Sequence, residues 1–116
     1  MKPITETKLT WHEFIKVELR VGTIIFAEYF KEVKKPAYKM VIDFGVYGKR
    51  KTSAQITTLY TVEALIGKQV VAVVNLPRKQ IANIMSECLV LGSLGAHNAV
   101  TLITPESKVD NGTKIG

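Results

Sequence analysis

The sequence predicts an all-β fold in which short strands close into a small barrel. Between residues 18 and 104, β-branched and aromatic residues are enriched in several short runs. Glycines and prolines separate these runs at positions where a barrel would turn. One short helical segment follows the first three runs, and more strand-like runs follow it. This order is typical of a five-stranded Greek-key barrel, the OB-fold, with short helices and terminal extensions.

The length predicts a single domain over residues 1–116, with residues 1–17 and 105–116 as terminal extensions. No apolar run approaches the ~20 residues that span a bilayer, so we expect no membrane insertion. The first ten residues also lack the apolar core of a signal peptide. Cys88 is the only cysteine, which excludes an internal disulfide and fits a reducing compartment. The sequence therefore predicts a cytoplasmic protein.

The N-terminal elements have recognisable local signals. Thr10 and Glu13 have the spacing of a capping box, which predicts a short helix over residues 11–16. A strand over residues 18–29 follows, and Gly22 within it predicts a bulge or a tight bend. Counting alternate residues along this strand places Leu19 and Val21 inside the barrel and Arg20 outside.

The next two strands, at residues 38–46 and 49–56, alternate between apolar and polar residues. The residues predicted to face the core are Met40, Ile42, Phe44, Val46, Thr52, Ala54 and Ile56. A short helix over residues 61–67 is predicted to begin at Thr61 and end at Gly67. Strands at residues 69–77, 87–95 and 99–104 then complete the barrel.

Catalytic and cofactor motifs are not found. The run "GKRKTS" at residues 48–53 lacks the glycine spacing and the hydroxyl of a phosphate-binding loop. His12 and His97 have no further ligand residues at metal-site spacing, and Cys88 lies in an apolar strand typical of a buried thiol. We therefore predict a binding protein that is not an enzyme and uses no cofactor or metal.

Positive charge is concentrated in the first half of the chain. The net charge is +6, and residues 1–58 contain eleven Lys and Arg against six Asp and Glu. The residues predicted to form a basic, polar face are Arg20, Lys39, Lys49, Arg50, Lys51, Ser53 and Gln55, with a second cluster at Arg78 and Lys79 after Asn75. Such a face either binds phosphates or is only solvated. The scarcity of outward aromatic residues favours recognition of folded RNA over base stacking.

The first strand also carries apolar residues on its predicted outer side. The same alternation points Ile24 and Phe26 outward. They would pack under the N-terminal helix, form a dimer contact or line a groove for an apolar peptide. These alternatives stay open at this point.

Five segments resemble one protein family when taken in order along the chain. They are "LRVGTIIFAEYF", "KKPAYKMVIDFG", "KTSAQIT", "LIGKQVVAVVNLP" and "SECLVLG". Together they closely resemble the CsaA family of export-associated chaperones and, more broadly, the tRNA-binding domain appended to some methionyl- and phenylalanyl-tRNA synthetases. The segments "PAYK" and "SAQIT" and the ending "NGTKIG" favour the CsaA branch.

The resemblance implies an OB-fold homodimer that binds unfolded precursor proteins, the SecA translocation motor and tRNA. It places Arg20, Lys39, Lys51 to Ser53, Gln55 and the Asn75–Lys79 loop on the ligand-facing surface. Ser86 and Glu87 match a serine–glutamate pair of the family, which either contacts ligand or ties the loop to the barrel; we favour the second role. We assign peptide binding or dimerisation to Trp11, Phe14, Ile24, Phe26 and Met85.

One segment departs from the family pattern. Ala82, Asn83, Ile84 and Met85 stand where related chains often have Gly-Pro-Phe-Arg. The lost arginine and the added methionine make this loop more apolar and weaken the tRNA interpretation. The sequence therefore predicts a non-enzymatic, homodimeric secretion chaperone with tRNA-binding capacity. The alternative is a free-standing tRNA-binding protein that recognises folded RNA shape.

Overall fold

The computed structural model describes residues 1–116 as short strands with two single-turn helices. The helices are α1 (Trp11–Phe14) and α2 (Val62–Leu65). The strands are β1 (Leu19–Tyr29), β2 (Tyr38–Asp43), β3 (Lys49–Ala54), β4 (Gln69–Val73), β5 (Lys79–Ile81), β6 (Ile84–Ser86), β7 (Leu89–Val90), β8 (Gly92–Leu94), β9 (Val100–Leu102) and β10 (Lys114–Ile115). No helix has the length and hydrophobicity needed to cross a membrane.

The main sheet is antiparallel, in the order β3-β2-β1-β4-β7, with β10 beside β1. Strand β1 pairs with β4 through its first half and with β2 along its second half, so it belongs to both walls. This shared strand curls the sheet into a nearly closed barrel, which confirms the predicted fold. The hairpins β5–β6 and β8–β9 are additions to it, and the sequence did not predict β5–β6.

The helix caps form as the local sequence predicts. The Thr10 hydroxyl accepts a hydrogen bond from the Glu13 backbone, and the Glu13 carboxylate accepts one from the Thr10 backbone. The Thr61 hydroxyl caps α2 by accepting a hydrogen bond from the Ala64 N–H, and Gly67 follows with a φ of +88°. Both signals are read within four residues, so they do not depend on the barrel.

The structure reverses the predicted orientation of Ile24, and a β-bulge follows this residue in β1. The pairing of β1 with β2 shifts between Ile24 and Phe26, which adds Ile25 as an unpaired residue. Ile24 precedes the bulge, lies on the same side of the strand as Gly22 and is fully buried in the core, whereas Ile25 and Phe26 are both more than 40% exposed. The prediction that Ile24 points outward is therefore wrong, and the prediction for Phe26 is confirmed.

Gly22 serves close packing and not the bulge. A Cβ atom at this position would lie 2.6 Å from Ile42 and 2.7 Å from Phe44, two fully buried core residues. The barrel wall can approach this closely only where β1 lacks a side chain. Position 22 thus faces the core, so Leu19 and Val21 lie on the opposite side of the strand and the predicted alternation of β1 is wrong, although Val21 is itself fully buried.

The predicted core positions in β2 and β3 are nearly all confirmed. Met40, Ile42, Phe44, Thr52 and Ile56 are buried, and Ala54 packs against them. Val46 is the exception: it lies in a 3-10 turn (residues 45–47) and is exposed, because the strand ends before it. The same core includes residues of β4, α2 and β9.

Candidate functional site

Strands β3 and β7 form the two edges of the main sheet, and we call the line along which they face each other the seam. At one end the seam is closed by polar contacts. The Glu87 N–H donates to the Lys51 carbonyl at 2.8 Å, and the Lys51 N–H donates to the Glu87 carboxylate at 3.0 Å. The buried Thr52 hydroxyl donates to the Cys88 carbonyl at 2.8 Å. These bonds take the place of a regular hydrogen-bond ladder between β3 and β7.

Ser86 and Glu87 therefore make the contacts of a loop tied to the barrel. The Ser86 hydroxyl lies 3.3 Å from both the Thr52 hydroxyl and the Cys88 carbonyl. The Glu87 carboxylate bonds to the backbone of β3 and lies 3.9 Å from Arg78. These contacts favour the structural alternative for the pair over a role of Ser86 in RNA binding.

At its other end the seam opens into a cavity of about 860 Å³, which we call the groove. Its apolar lining includes Ala37, Ala54, Ile56, Val90 and Leu102. Its polar lining comes from two loops, β3 and the β5–β6 hairpin, and includes Lys34, Lys35, Lys79, Ser53, Gln55, Gln80 and Asn98. An apolar floor with a basic rim suits an amphipathic, acidic ligand.

The outer side of β1, β2 and β3 carries a set of cations that we call the basic face. Register pairs Lys49 with Asp43, Lys51 with Val41, and Ser53 with Lys39. Because paired residues share a sheet face, Lys39, Lys49 and Lys51 emerge on one side, as predicted. Lys39 forms an ion pair with Glu28 at 3.4 Å.

Two lysines of the basic face are not committed to any acidic partner. Lys49 and Lys51 are exposed and have no carboxylate within 4 Å. Phe26 is on the same face, because it pairs with Val41. The basic face is thus centred on two free ammonium groups with one aromatic ring nearby.

Arg20 is not part of the basic face, contrary to the prediction. Its side chain is only 14% exposed and its guanidinium lies 3.9 Å from the centre of the Tyr47 ring. It also donates to the Gly112 carbonyl at 2.8 Å and to the Glu18 carboxylate at 3.0 Å. Position 20 shares the inward side with Gly22, so Arg20 fastens the C-terminal extension to the barrel.

Arg50 is likewise a structural residue and not part of an exposed hairpin tip. Its guanidinium donates to the Val74 carbonyl at 2.7 Å and lies 3.4 Å from the Glu87 carbonyl. Arg50 is two residues from the buried Thr52, so the strand alternation itself turns it inward. The prediction that Arg50 belongs to the basic face is therefore wrong.

The loop after β4 also contains both a structural polar residue and exposed cations. The Asn75 amide accepts from the Glu18 N–H at 2.9 Å and donates to the Lys16 carbonyl at 2.6 Å, which ties α1 to the barrel. Arg78 and Lys79 are exposed, and Lys79 reaches the groove. Asn75 therefore has a structural role, and Arg78 and Lys79 are available to ligand.

The predicted peptide-binding or dimer residues do not form one cluster. Trp11 and Phe14 lie on α1, in which no side chain is buried. Phe26 lies on the basic face and Met85 on the β5–β6 hairpin, and both are partly exposed. Because α1 buries nothing, the alternative in which Phe26 packs under this helix is not observed.

Sequence reasoning missed the groove as a site, and with it Lys34 and Lys35. The signal present was the basic turn "KEVKK" before Pro36, at residues 31–35. The position of this turn beside β3 depends on the tertiary fold and not on any local sequence pattern.

Cys88 is a buried free thiol at the closed end of the seam. Burial raises its pKa to about 11, and the Thr52 hydrogen bond and Arg50 charge oppose this only in part. The thiol is therefore protonated and unreactive at neutral pH, as predicted.

Comparisons with known proteins agree with this geometry. The family model of the tRNA binding domain matches residues 19–114. The chain belongs to this family. A crystal structure of the chaperone CsaA from Bacillus anthracis superposes with a TM-score of 0.91 and 45% identity, covering 95% of this chain and all of that one. CsaA from Picrophilus torridus has a TM-score of 0.87 and 45% identity, covering 94% of this chain and all of that one.

Within the tRNA-binding-domain family the chain is of the CsaA type, as the resemblance implied. A curated relative, the methionine–tRNA ligase of Methanococcoides burtonii, is 34% identical over 92% of this chain. The chain spans only 16% of the length of that ligase. The match thus lies in a tRNA-binding domain, and it carries no catalytic machinery over to this chain.

Proposed function

We propose that the protein is a non-enzymatic chaperone that holds unfolded precursor proteins in the groove and also binds tRNA through the basic face. The observation that carries the chaperone role is the groove itself: an apolar floor, open to solvent, in a chain of the CsaA type. No nucleotide motif is present in the sequence, so holding is driven by apolar burial and needs no ATP.

An aggregation assay tests the chaperone role. The protein should suppress aggregation of a chemically denatured reporter protein without nucleotide and at moderate salt. Leu89→Glu should remove most of this activity, because Leu89 lines the groove and is 50% exposed. Leu59→Glu is the matched control, since Leu59 is 52% exposed and lies outside the groove. Equal activity of the two variants would refute the groove as the client site.

The tRNA role is supported by the free ammonium groups of Lys49 and Lys51, the neighbouring Lys39, Arg78 and Lys79, and the family of the chain. Ser53 and Gln55 lie on the side of β3 that carries Lys51 and supply neutral hydrogen-bonding groups. We no longer include Arg20, Arg50 and Asn75, since their polar atoms are occupied inside the protein.

Salt dependence tests the basic face. The double variant Lys49→Glu/Lys51→Glu should weaken tRNA binding and lower the slope of log affinity against log salt by roughly 1 to 2. The variant Lys68→Glu/Lys108→Glu changes the net charge equally on another surface and serves as the control. An identical slope for the two variants would exclude the basic face.

A homodimer is the proposed assembly. Every residue of the N-terminal extension 1–17 is exposed, and Trp11 is 84% exposed although a tryptophan is normally well buried. A second copy of the chain would cover Trp11 and its neighbours Leu9, Phe14 and Ile15. Sedimentation at micromolar concentration should give about twice the chain mass of 12.9 kDa, and Trp11→Asp should give the monomer.

Two further proposals rest on the resemblance to the CsaA family. We propose SecA as a partner and the cytoplasm as the compartment, and the latter agrees with a single reduced cysteine. Sedimentation of purified SecA with and without the protein tests the first.

The alternative function, a free-standing tRNA-binding protein, is favoured by one observation. Lys49 and Lys51 are exposed without ion-pair partners, as phosphate-binding groups need to be. Tight, salt-dependent tRNA binding by a protein that suppresses no aggregation would establish this alternative.

A further inference from the structure

The free edge of β3 has main-chain groups that nothing in the protein binds. Strand β3 pairs only with β2, and its ladder bonds use alternate residues. The N–H and C=O groups of Lys51 point away from β2, as shown by their hydrogen bonds to Glu87. Ser53 follows at a spacing of two within β3, so its N–H and C=O groups also point away from β2, and Gln55 comes directly after the last strand residue, Ala54.

These groups lie along the groove and lack partners. No backbone or side-chain hydrogen bond reaches the N–H of Ser53 or of Gln55. The only approach to the Ser53 carbonyl is the Thr52 hydroxyl at 3.4 Å, and that hydroxyl already donates to Cys88 at 2.8 Å. Ser53 and Gln55 both line the groove. An unpaired strand edge beside an apolar floor is a template for another strand.

We propose that the groove takes its ligand as an added β-strand, with an extended polypeptide segment pairing along Ser53–Gln55. This inference rests on the proposed function and specifies how a client is recognised. Main-chain hydrogen bonds would supply affinity that does not depend on sequence, which suits a protein that holds many different unfolded chains.

The rim of the groove specifies the side chains of that segment. In an added strand, alternate side chains face the apolar floor formed by residues such as Ile56 and Leu102, and the others face outward. Lys34, Lys35 and Lys79 line this rim and have no carboxylate within 4 Å. The preferred segment therefore alternates apolar and acidic residues.

Backbone N-methylation of a peptide tests this inference. The probe is a fluorophore-labelled peptide of alternating valine and glutamate, methylated at one peptide nitrogen at a time and titrated into the full-length protein. In an added strand, only every second residue directs its N–H and C=O at β3. Methylation there should weaken binding about tenfold, since a partly buried partner loses its hydrogen bond. Methylation at the intervening residues should have little effect.

Amide hydrogen exchange gives an independent measurement on the unaltered protein. Saturating peptide should slow exchange at Ser53 and Gln55 at least tenfold. The amide of Ala54 is the internal control, because Ala54 pairs with Tyr38 in the β2–β3 ladder and should change little.

Three results would overturn the inference, and they differ in what else they refute. Binding with equal effects of methylation at all positions and no new protection refutes strand addition but leaves the chaperone proposal standing. No binding of the unmethylated peptide refutes both. Protection of Ser53 and Gln55 without peptide, lost on dilution, shows that a strand from a second copy occupies the edge.

Discussion

The two ends of the seam between β3 and β7 both contain charged and polar residues. They differ in whether those polar groups are hydrogen-bonded or ion-paired within the protein. At the closed end, Arg50 and Thr52 donate to the main-chain carbonyls of Val74 and Cys88, and the Glu87 carboxylate accepts from the Lys51 N–H. At the open end, the main-chain groups of Ser53 and Gln55 have no such bonds, and the lysines of the rim form no ion pairs.

This difference shows that charge alone does not identify a ligand-binding residue. Arg50 and Lys51 are neighbours in one strand, yet the first is anchored to two carbonyls and the second is exposed. A committed cation stabilises the fold, whereas a free one is available to phosphate or to an acidic side chain. The closed end should therefore tolerate substitution poorly, and the open end should tolerate it well.

The largest effect is expected for Arg50→Ala. The substitution removes a charged hydrogen bond to the Val74 carbonyl of a buried residue and should lower the free energy of unfolding by about 2–3 kcal/mol. Urea denaturation measures this change. Lys49→Ala, one residue away and exposed, should change it by no more than about 0.5 kcal/mol. Equal losses in the two variants would mean that Arg50 does not close the seam.

Glu87→Ala should cost less, about 1–2 kcal/mol, because the Lys51 N–H loses its acceptor. Glu87→Gln retains an oxygen at this position and should lose at most half as much. If Gln and Ala variants were equally destabilised, the ion pair with Arg78 and not the backbone bond would hold this end.

Ala82→Gly should stabilise the β5–β6 hairpin that carries Ser86 to the closed end. Ala82 has a φ of +48°, a conformation that costs a residue with a Cβ atom more than it costs glycine. Glycine loses more conformational entropy on folding, which offsets part of this benefit. The free energy of unfolding should therefore rise by about 0.5–1 kcal/mol, as measured by thermal or urea unfolding. Asn83→Gly is the control and should be neutral or destabilising, since Asn83 does not have a positive φ.

The smallest effect is expected at the open end. Gln55→Ala removes a side chain that makes no hydrogen bond, so the free energy of unfolding should change by no more than about 0.5 kcal/mol. A loss above about 1 kcal/mol would show that the open end is closed by contacts in solution, and the proposed groove would then be absent.

Much of the fold could be predicted because its signals are local. The Thr10–Glu13 capping box, the Thr61 cap and the alternation in β2 and β3 depend on neighbouring residues and formed as predicted, except that both helices are a single turn and Val46 is exposed. The basic face was predicted in part for the same reason: Lys39 and Lys51 follow a two-residue period along regular strands.

The errors arose where a second strand decides the outcome. Arg20 and Ile24 precede the bulge in β1, and which side of the strand they occupy is decided by the pairing of β1 with β4 and β2. Hairpin β5–β6 was missed because its strands are three residues each, too short to show a period. For Arg20, the decisive partners Tyr47 and Gly112 are far away in the sequence.

The barrel, its caps and the sign of its charge follow from local patterns in the chain, because alternation and capping act between residues a few positions apart. Which cations are free and where the sheet stays unclosed are set by long-range contacts of the folded protein. Both depend on the partners that other segments bring to a side chain or a strand edge, and such partners leave no periodic signal in the chain.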